Sequence, residues 1–101
     1  MYLDYLDLAE RLNATLPNDD GRSAKIYTWQ NCYDTKKNGV TATVIMGNPE
    51  DVNTTDIAVD ISKRNMKEAV IKAYRFICDK LSIKFAPMQI MLSNGKLITI
   101  A

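Results

Sequence analysis

The chain has 101 residues, of which 47% are hydrophobic and 25% are charged, and its formal net charge at pH 7 is +1. A chain of this length folds as one domain around one hydrophobic core, and its near-zero charge excludes a general electrostatic attraction to nucleic acid or anionic membranes. Histidine is absent, which removes the commonest general base and the commonest zinc ligand.

Residues 2–16 are predicted to form an amphipathic helix. Apolar residues recur at three- and four-residue steps from Tyr2 to Leu16, and charged residues lie on the opposite side. Pro17 and the segment NDDG that follows are expected to end this helix.

Two strands are predicted over residues 25–34 and 40–46. The Asn-Gly pair between them favours a two-residue turn, because both residues tolerate positive φ. In this register Tyr33 lies opposite Val44, so the aromatic side of the first strand shares a face with the aliphatic side of the second. We therefore predict that the rings of Tyr27, Trp29 and Tyr33 lie in the core. A three-residue loop with a glycine bulge is the competing register, and it would place them beside the threonines of the second strand.

The rest of the chain adds a strand over residues 55–61, a helix over residues 63–82 that follows Ser62 as N-cap, and a hairpin after Pro87. The element order is therefore α-β-β-β-α-β-β. We predict an α+β single domain over residues 1–101, with a mostly antiparallel sheet and two helices packed on one face.

The sequence contains no recognisable catalytic constellation or metal motif. Cys32 and Cys78 have no metal-type spacing, and Cys78 is predicted on the outer side of the second helix. We expect a non-enzymatic protein without a cofactor, with a carboxylate-based enzyme as the third hypothesis. No secretory signal is expected, and no apolar run reaches the roughly 18 residues that a membrane span requires. These features predict a cytoplasmic protein with no membrane partner.

Basic residues cluster at the start of the second helix, in the segment SKRNMK. Its spacing resembles S-K-K-x-A-K at the start of the last helix in double-stranded-RNA-binding domains, and the α-β-β-β-α order is similar as well. The resemblance implies that Lys63, Arg64 and Lys67 contact the phosphates of double-stranded RNA across its major groove. A charged helix face in contact with water is the alternative.

Two further surfaces are predicted beside this cluster and on the C-terminal hairpin. Ile71 and Arg75 are expected to point outward from the second helix. In a two-residue Asn-Gly register both faces of the hairpin are apolar, so Met91, Ile98 and Ile100 are predicted to form an exposed patch for a partner or for a homodimer. The alternative is a hairpin sandwiched inside the protein, with one face covered by the first helix.

A compact chain without a catalytic constellation resembles, in size and style, the small accessory proteins of phages and mobile elements. Some of these, the anti-CRISPR proteins, inhibit a host defence complex by occupying its surface. The resemblance implies a host protein or a ribonucleoprotein complex as the partner, met in the host cytoplasm. We predict a non-enzymatic macromolecule-binding protein of this type, and a double-stranded-RNA-binding protein is the alternative.

Overall fold

The computed structural model describes residues 4–19, 21–30, 38–47, 52–59 and 66–100, with the backbone alone for residues 30, 38 and 52–59. The predicted α+β class and the predicted order of elements are confirmed. The elements are α1 (Asp4–Asn13), β1 (Arg22–Gln30), β2 (Asn38–Met46), β3 (Val52–Val59), α2 (Met66–Lys80), β4 (Met88–Met91) and β5 (Leu97–Ile100).

The five described strands form two antiparallel sheets, whereas the sequence predicts one. β1, β2 and β3 form a three-stranded sheet in that order, and β4 and β5 form a separate hairpin. Both helices pack on one face of the three-stranded sheet, where Ile26 of β1 lies beside Val40, Ala42 and Val44 of β2 in the core. The hairpin closes the core with three buried side chains, which are Leu92, Ile98 and Ile100.

The sequence explains which side of α1 is buried and where α2 ends. Leu8 and Leu12 are four residues apart in α1 and are fully buried. The acids of the first turn suit the positive end of the helix dipole. α2 ends in a Schellman motif, in which Ile83 donates its N–H to the Cys78 carbonyl oxygen at 2.8 Å and Ser82 adopts a φ of 56°.

The predicted register of the first hairpin is wrong. β2 begins at Asn38, so the Asn-Gly pair belongs to the strand, and Gly39 pairs with Trp29. Tyr27 pairs with Thr41, which is the face assignment of the competing register. The physical reason is that Ile26 completes an aliphatic layer under the helices, and the side chains of opposite parity must then face away. Tyr33 lies outside the described residues.

The predicted register of the C-terminal hairpin is also wrong. Leu92 donates its N–H to the Lys96 carbonyl oxygen at 2.8 Å, and Gly95 has a φ of 85°, which together define a three-residue loop with a glycine bulge. The extra loop residue shifts the pairing, so that Met91 lies opposite Leu97. Because a shift by one residue exchanges the two faces, the side chains of Ile98 and Ile100 point into the core.

Candidate binding surface on the open face of the sheet

The face of the three-stranded sheet turned away from the helices carries an aromatic strip. Strand alternation places every second residue of β1 and β2 on this side. We call it the open face. Its residues on β1 and β2 are Ser23, Lys25, Tyr27, Trp29, Gly39, Thr41, Thr43 and Ile45. The solvated side of an antiparallel sheet is ordinarily polar, so the chain's single Trp and an adjacent Tyr are an exception there.

Trp29 is held on the open face by two residues of β2. A Cβ built on Gly39 would lie over the six-membered ring of the indole, with Cζ2, Cε2 and Cη2 as its nearest atoms. The absence of a side chain at Gly39 therefore lets the indole rest with its face on the neighbouring strand. The indole Nε1–H also donates a hydrogen bond to Thr41 Oγ1 at 3.1 Å. Contacts within the protein itself therefore set the position of the indole.

Tyr27 precedes Trp29 by two residues and is the more accessible of the two rings, with 47% of its surface exposed. The Lys25 ammonium nitrogen lies 4.9 Å from the centre of the Tyr27 ring, within the range of a cation–π contact. Lys25, Tyr27 and Trp29 thus follow one another along the same side of β1.

A groove of about 310 Å³ adjoins Tyr27 at the start of β1. Polar groups line it, from Asn18 in the turn before β1, Ser23 in β1 and Thr43 in β2. Its lining is completed by Asn13, Ala24, Lys25, Tyr27 and Ile45. The groove extends the aromatic strip with hydrogen-bonding groups.

The outer edge of β1 is occupied by the protein's own chain. The Asn13 side-chain amide accepts a hydrogen bond from the Ile26 N–H at 2.8 Å and donates one to the Ile26 carbonyl oxygen at 2.9 Å. The Ala24 N–H donates to the Pro17 carbonyl oxygen at 3.1 Å. Covering an edge in this way prevents strand addition along that part of it.

The cluster that the sequence predicts on the second helix is only partly described. Lys63 and Arg64 lie outside the described residues. Lys67 is half-buried in the first turn of α2, and Ile71 is half-buried and packs against the core. Arg75 is exposed, and its guanidinium carbon lies 4.4 Å from the centre of the Phe85 ring. The outward orientation predicted for Ile71 is therefore wrong in part.

The outward orientation predicted for Cys78 is wrong, because its side chain is buried in the core. Burial raises the pKa of the Cys78 thiol, and a hydrogen bond with the Tyr74 hydroxyl offsets part of that rise. A buried thiol with a raised pKa is a poor nucleophile, and Cys78 contributes to the packing of the core.

The apolar patch predicted on the C-terminal hairpin is reduced to one of its three residues. Met91 is exposed, whereas Ile98 and Ile100 are buried and cannot contact a partner. The bulge places Leu97 beside Met91 on the outer side instead. Within the described part of the chain, no group of three acidic or cysteine side chains could hold a metal ion, and no helix has the length and apolar character to cross a membrane.

The sequence feature that indicates the open face is the position of Lys25, two residues before Tyr27. It lies on the same side of the strand as Tyr27 and Trp29, and a charged residue in that series indicates a side exposed to water.

In comparisons with known proteins, no family model, no curated protein and no solved structure matches this chain.

Proposed function

We propose that this protein is a non-enzymatic macromolecule-binding protein and that its partner docks on the open face. The observation that carries the proposal is the placement of Trp29, seated on Gly39 and bonded to Thr41, next to the exposed ring of Tyr27. Both helices lie on the other side of the sheet, so they leave this strip uncovered.

The energetics of interfaces support this reading. Trp and Tyr are the residue types most enriched among binding hot spots. Rings that are already fixed lose little conformational entropy when a partner binds. Trp29 meets this condition because Gly39 and Thr41 set its orientation in the free protein.

The covered edge of β1 and the buried side of the C-terminal hairpin support the open face over two rival surfaces. Strand addition along residues 24–26 of β1 is blocked by Asn13 and Pro17. The hairpin offers Met91 and Leu97, which are apolar but form no fixed ring surface. The partner class that the anti-CRISPR resemblance implies, a host defence protein or ribonucleoprotein complex, is a specific form of the proposal.

Capture from host lysate with matched variants tests the proposal. The wild-type chain, Tyr27→Ala and Met91→Ala are immobilised at equal density, and the captured macromolecules are titrated to saturation. We expect wild type and Met91→Ala to retain the same partner and Tyr27→Ala to lose it. The proposal fails when no saturable partner is captured, or when Tyr27→Ala binds as well as the wild-type chain.

Double-stranded-RNA binding is the second candidate function. It is supported by the sheet order β1-β2-β3 with both helices on one face and by Lys67 in the first turn of α2. The test is a gel shift with duplex RNA at low salt, using the triple replacement of Lys63, Arg64 and Lys67 by Glu. We expect a salt-sensitive shift for the wild-type chain that the triple variant lacks; a wild-type chain that gives no shift contradicts this candidate.

A further inference from the structure

We infer that the open face binds single-stranded nucleic acid, with two successive bases stacked on Trp29 and Tyr27. The inference rests on the proposed function, because it assigns a chemical class to the partner of the same surface. Aromatic rings on an antiparallel sheet are sequence-tolerant stacking sites, since every base offers a π-face. Trp29 has one ring face on Gly39, so a base would stack on the opposite face of the indole.

The spacing of the two rings distinguishes single strands from duplexes. Residues two apart on a strand are separated by about 6.6 Å along it, whereas stacked bases along one strand of a duplex are about 3.4 Å apart. Neighbouring bases can therefore contact Tyr27 and Trp29 together only when they have separated from each other. A single strand reaches this extended form readily, and a paired strand does not.

The described part of the open face offers one cation to a phosphate backbone that runs along β1. Of the described side chains on this face, the charged one is Lys25, and it is a cation next to Tyr27. The backbone register places Asp56 of β3 opposite Thr41, on the side of β2 away from β1. The phosphates are therefore expected to follow β1, with the bases directed over β2.

The groove beside Tyr27 supplies the groups for a third nucleotide. Asn18, Ser23 and Thr43 line it, and amide and hydroxyl groups can both donate to and accept from a base or a ribose. Stacking would then provide most of the affinity, with the groove adding a modest preference among bases.

The test uses the intrinsic fluorescence of the single Trp together with the anisotropy of labelled oligonucleotides. Single-stranded RNA and DNA of about eight nucleotides are titrated against the full chain, beside duplexes of the same sequence, over a site size typical of such surfaces. The variants are Tyr27→Ala, Tyr27→Phe and Lys25→Gln, with Met91→Ala as the control. All three replaced side chains are exposed, so circular dichroism should show an unchanged fold for each variant.

We expect single strands to quench Trp29 emission and to bind more tightly than duplexes. Loss of one stacking ring weakens binding by about 5-fold to about 150-fold, so Tyr27→Ala should fall in this range while Tyr27→Phe and Met91→Ala stay near wild type. A single phosphate contact gives a shallow salt dependence, about 2.5-fold between roughly 50 and 200 mM salt, and Lys25→Gln should abolish it.

Three results would overturn the inference. They are no binding up to about 100 µM single strand, the weak end of nonspecific affinity, duplex binding as tight as single-strand binding, and equal affinities for Tyr27→Ala and Met91→Ala. The proposed function can stand when the nucleic-acid inference fails. A partner captured from nuclease-treated lysate that depends on Tyr27, together with no oligonucleotide binding, retains the open face as a protein-binding surface and rejects the nucleic acid.

Discussion

The indole of Trp29 lies with its face over Gly39, its cross-strand neighbour on β2. The contact requires a residue without a side chain, since a Cβ at this position would overlap the ring. Thr41 fixes the same indole through its hydroxyl oxygen, which accepts the Nε1–H. One glycine therefore determines whether the chain's single Trp lies flat on the sheet or projects away from it.

Replacing Gly39 with Ala should displace the Trp29 ring without unfolding the sheet. The overlapping atoms belong to the end of a half-buried side chain, which can swing outward. We expect a red-shifted and more readily quenched Trp emission, with a loss of about 1–3 kcal/mol in the free energy of unfolding from the forced rearrangement. Gly21→Ala is the control, because nothing lies within 4 Å of the added Cβ. An unchanged emission spectrum in Gly39→Ala would show that the ring does not rest on this glycine.

Replacing each of two neighbouring residues in the C-terminal hairpin should change the free energy of unfolding by very different amounts. Ile98 is 8% exposed and Leu97 is 52% exposed. Ile98→Ala should lower the free energy of unfolding by about 2–5 kcal/mol through lost burial and a cavity, whereas Leu97→Ala should change it by less than about 0.5 kcal/mol. Urea titration of both variants measures the difference. The two-residue turn register would place both of these side chains differently, so equal effects would contradict the bulge.

The helices and the order of elements could be predicted from the sequence, because an amphipathic period of 3.6 residues persists when a boundary moves by a few residues. Strand registers have no such tolerance, since a shift by one residue exchanges the faces. Both hairpin predictions assumed that the Asn-Gly pair forms the turn. In the first hairpin Gly39 lies within β2 and contacts the Trp29 ring, and in the second Gly95 completes a bulge.

The sequence identifies the aromatic residues of the candidate site but not the face of the sheet on which they lie. Tyr27 and Trp29 are conspicuous in the sequence, yet their burial depends on the strand that pairs with them. The hydrogen bond to Thr41 and the contact with Gly39 join residues ten or more positions apart. Such cross-strand contacts depend on the register, and local turn chemistry alone did not determine it.

Asn13 should stabilise the edge of β1 by acting as a short substitute for a neighbouring strand. Asn13→Leu removes both hydrogen bonds to the Ile26 backbone, which is partly buried at this point. We expect a loss of about 1–3 kcal/mol for each backbone group left without a partner. Hydrogen exchange should also show a faster-exchanging Ile26 amide. Asn18→Ala, in the same groove, serves as the control and should change neither quantity; slow Ile26 exchange in Asn13→Leu would contradict the role assigned to Asn13.

Two carboxylates at the start of α1 hold the turn of the C-terminal hairpin, and they should make its docking sensitive to acid. Asp4 accepts hydrogen bonds from Asn94 Nδ2 at 3.1 Å and Lys96 Nζ at 3.0 Å. Asp7 accepts one from the Ser93 backbone N–H at 2.6 Å. The Lys96 hydrogen bond is the main cause that lowers the pKa of Asp4 from its ordinary 3.8, and the Ser93 bond is the main cause that lowers the pKa of Asp7.

A carboxyl group whose pKa is lower in the folded state contributes stability above its unfolded pKa and loses it as the pH falls through the folded value. We therefore expect the melting temperature of the wild-type chain to fall as the pH drops below about 4. The double variant Asp4→Asn with Asp7→Asn should melt at a lower temperature near neutral pH and lose less on acidification. Thermal unfolding of both proteins between about pH 3 and pH 7 measures this. If the double variant loses as much as the wild-type chain does, then Asp4 and Asp7 are not the groups that tie the hairpin to α1.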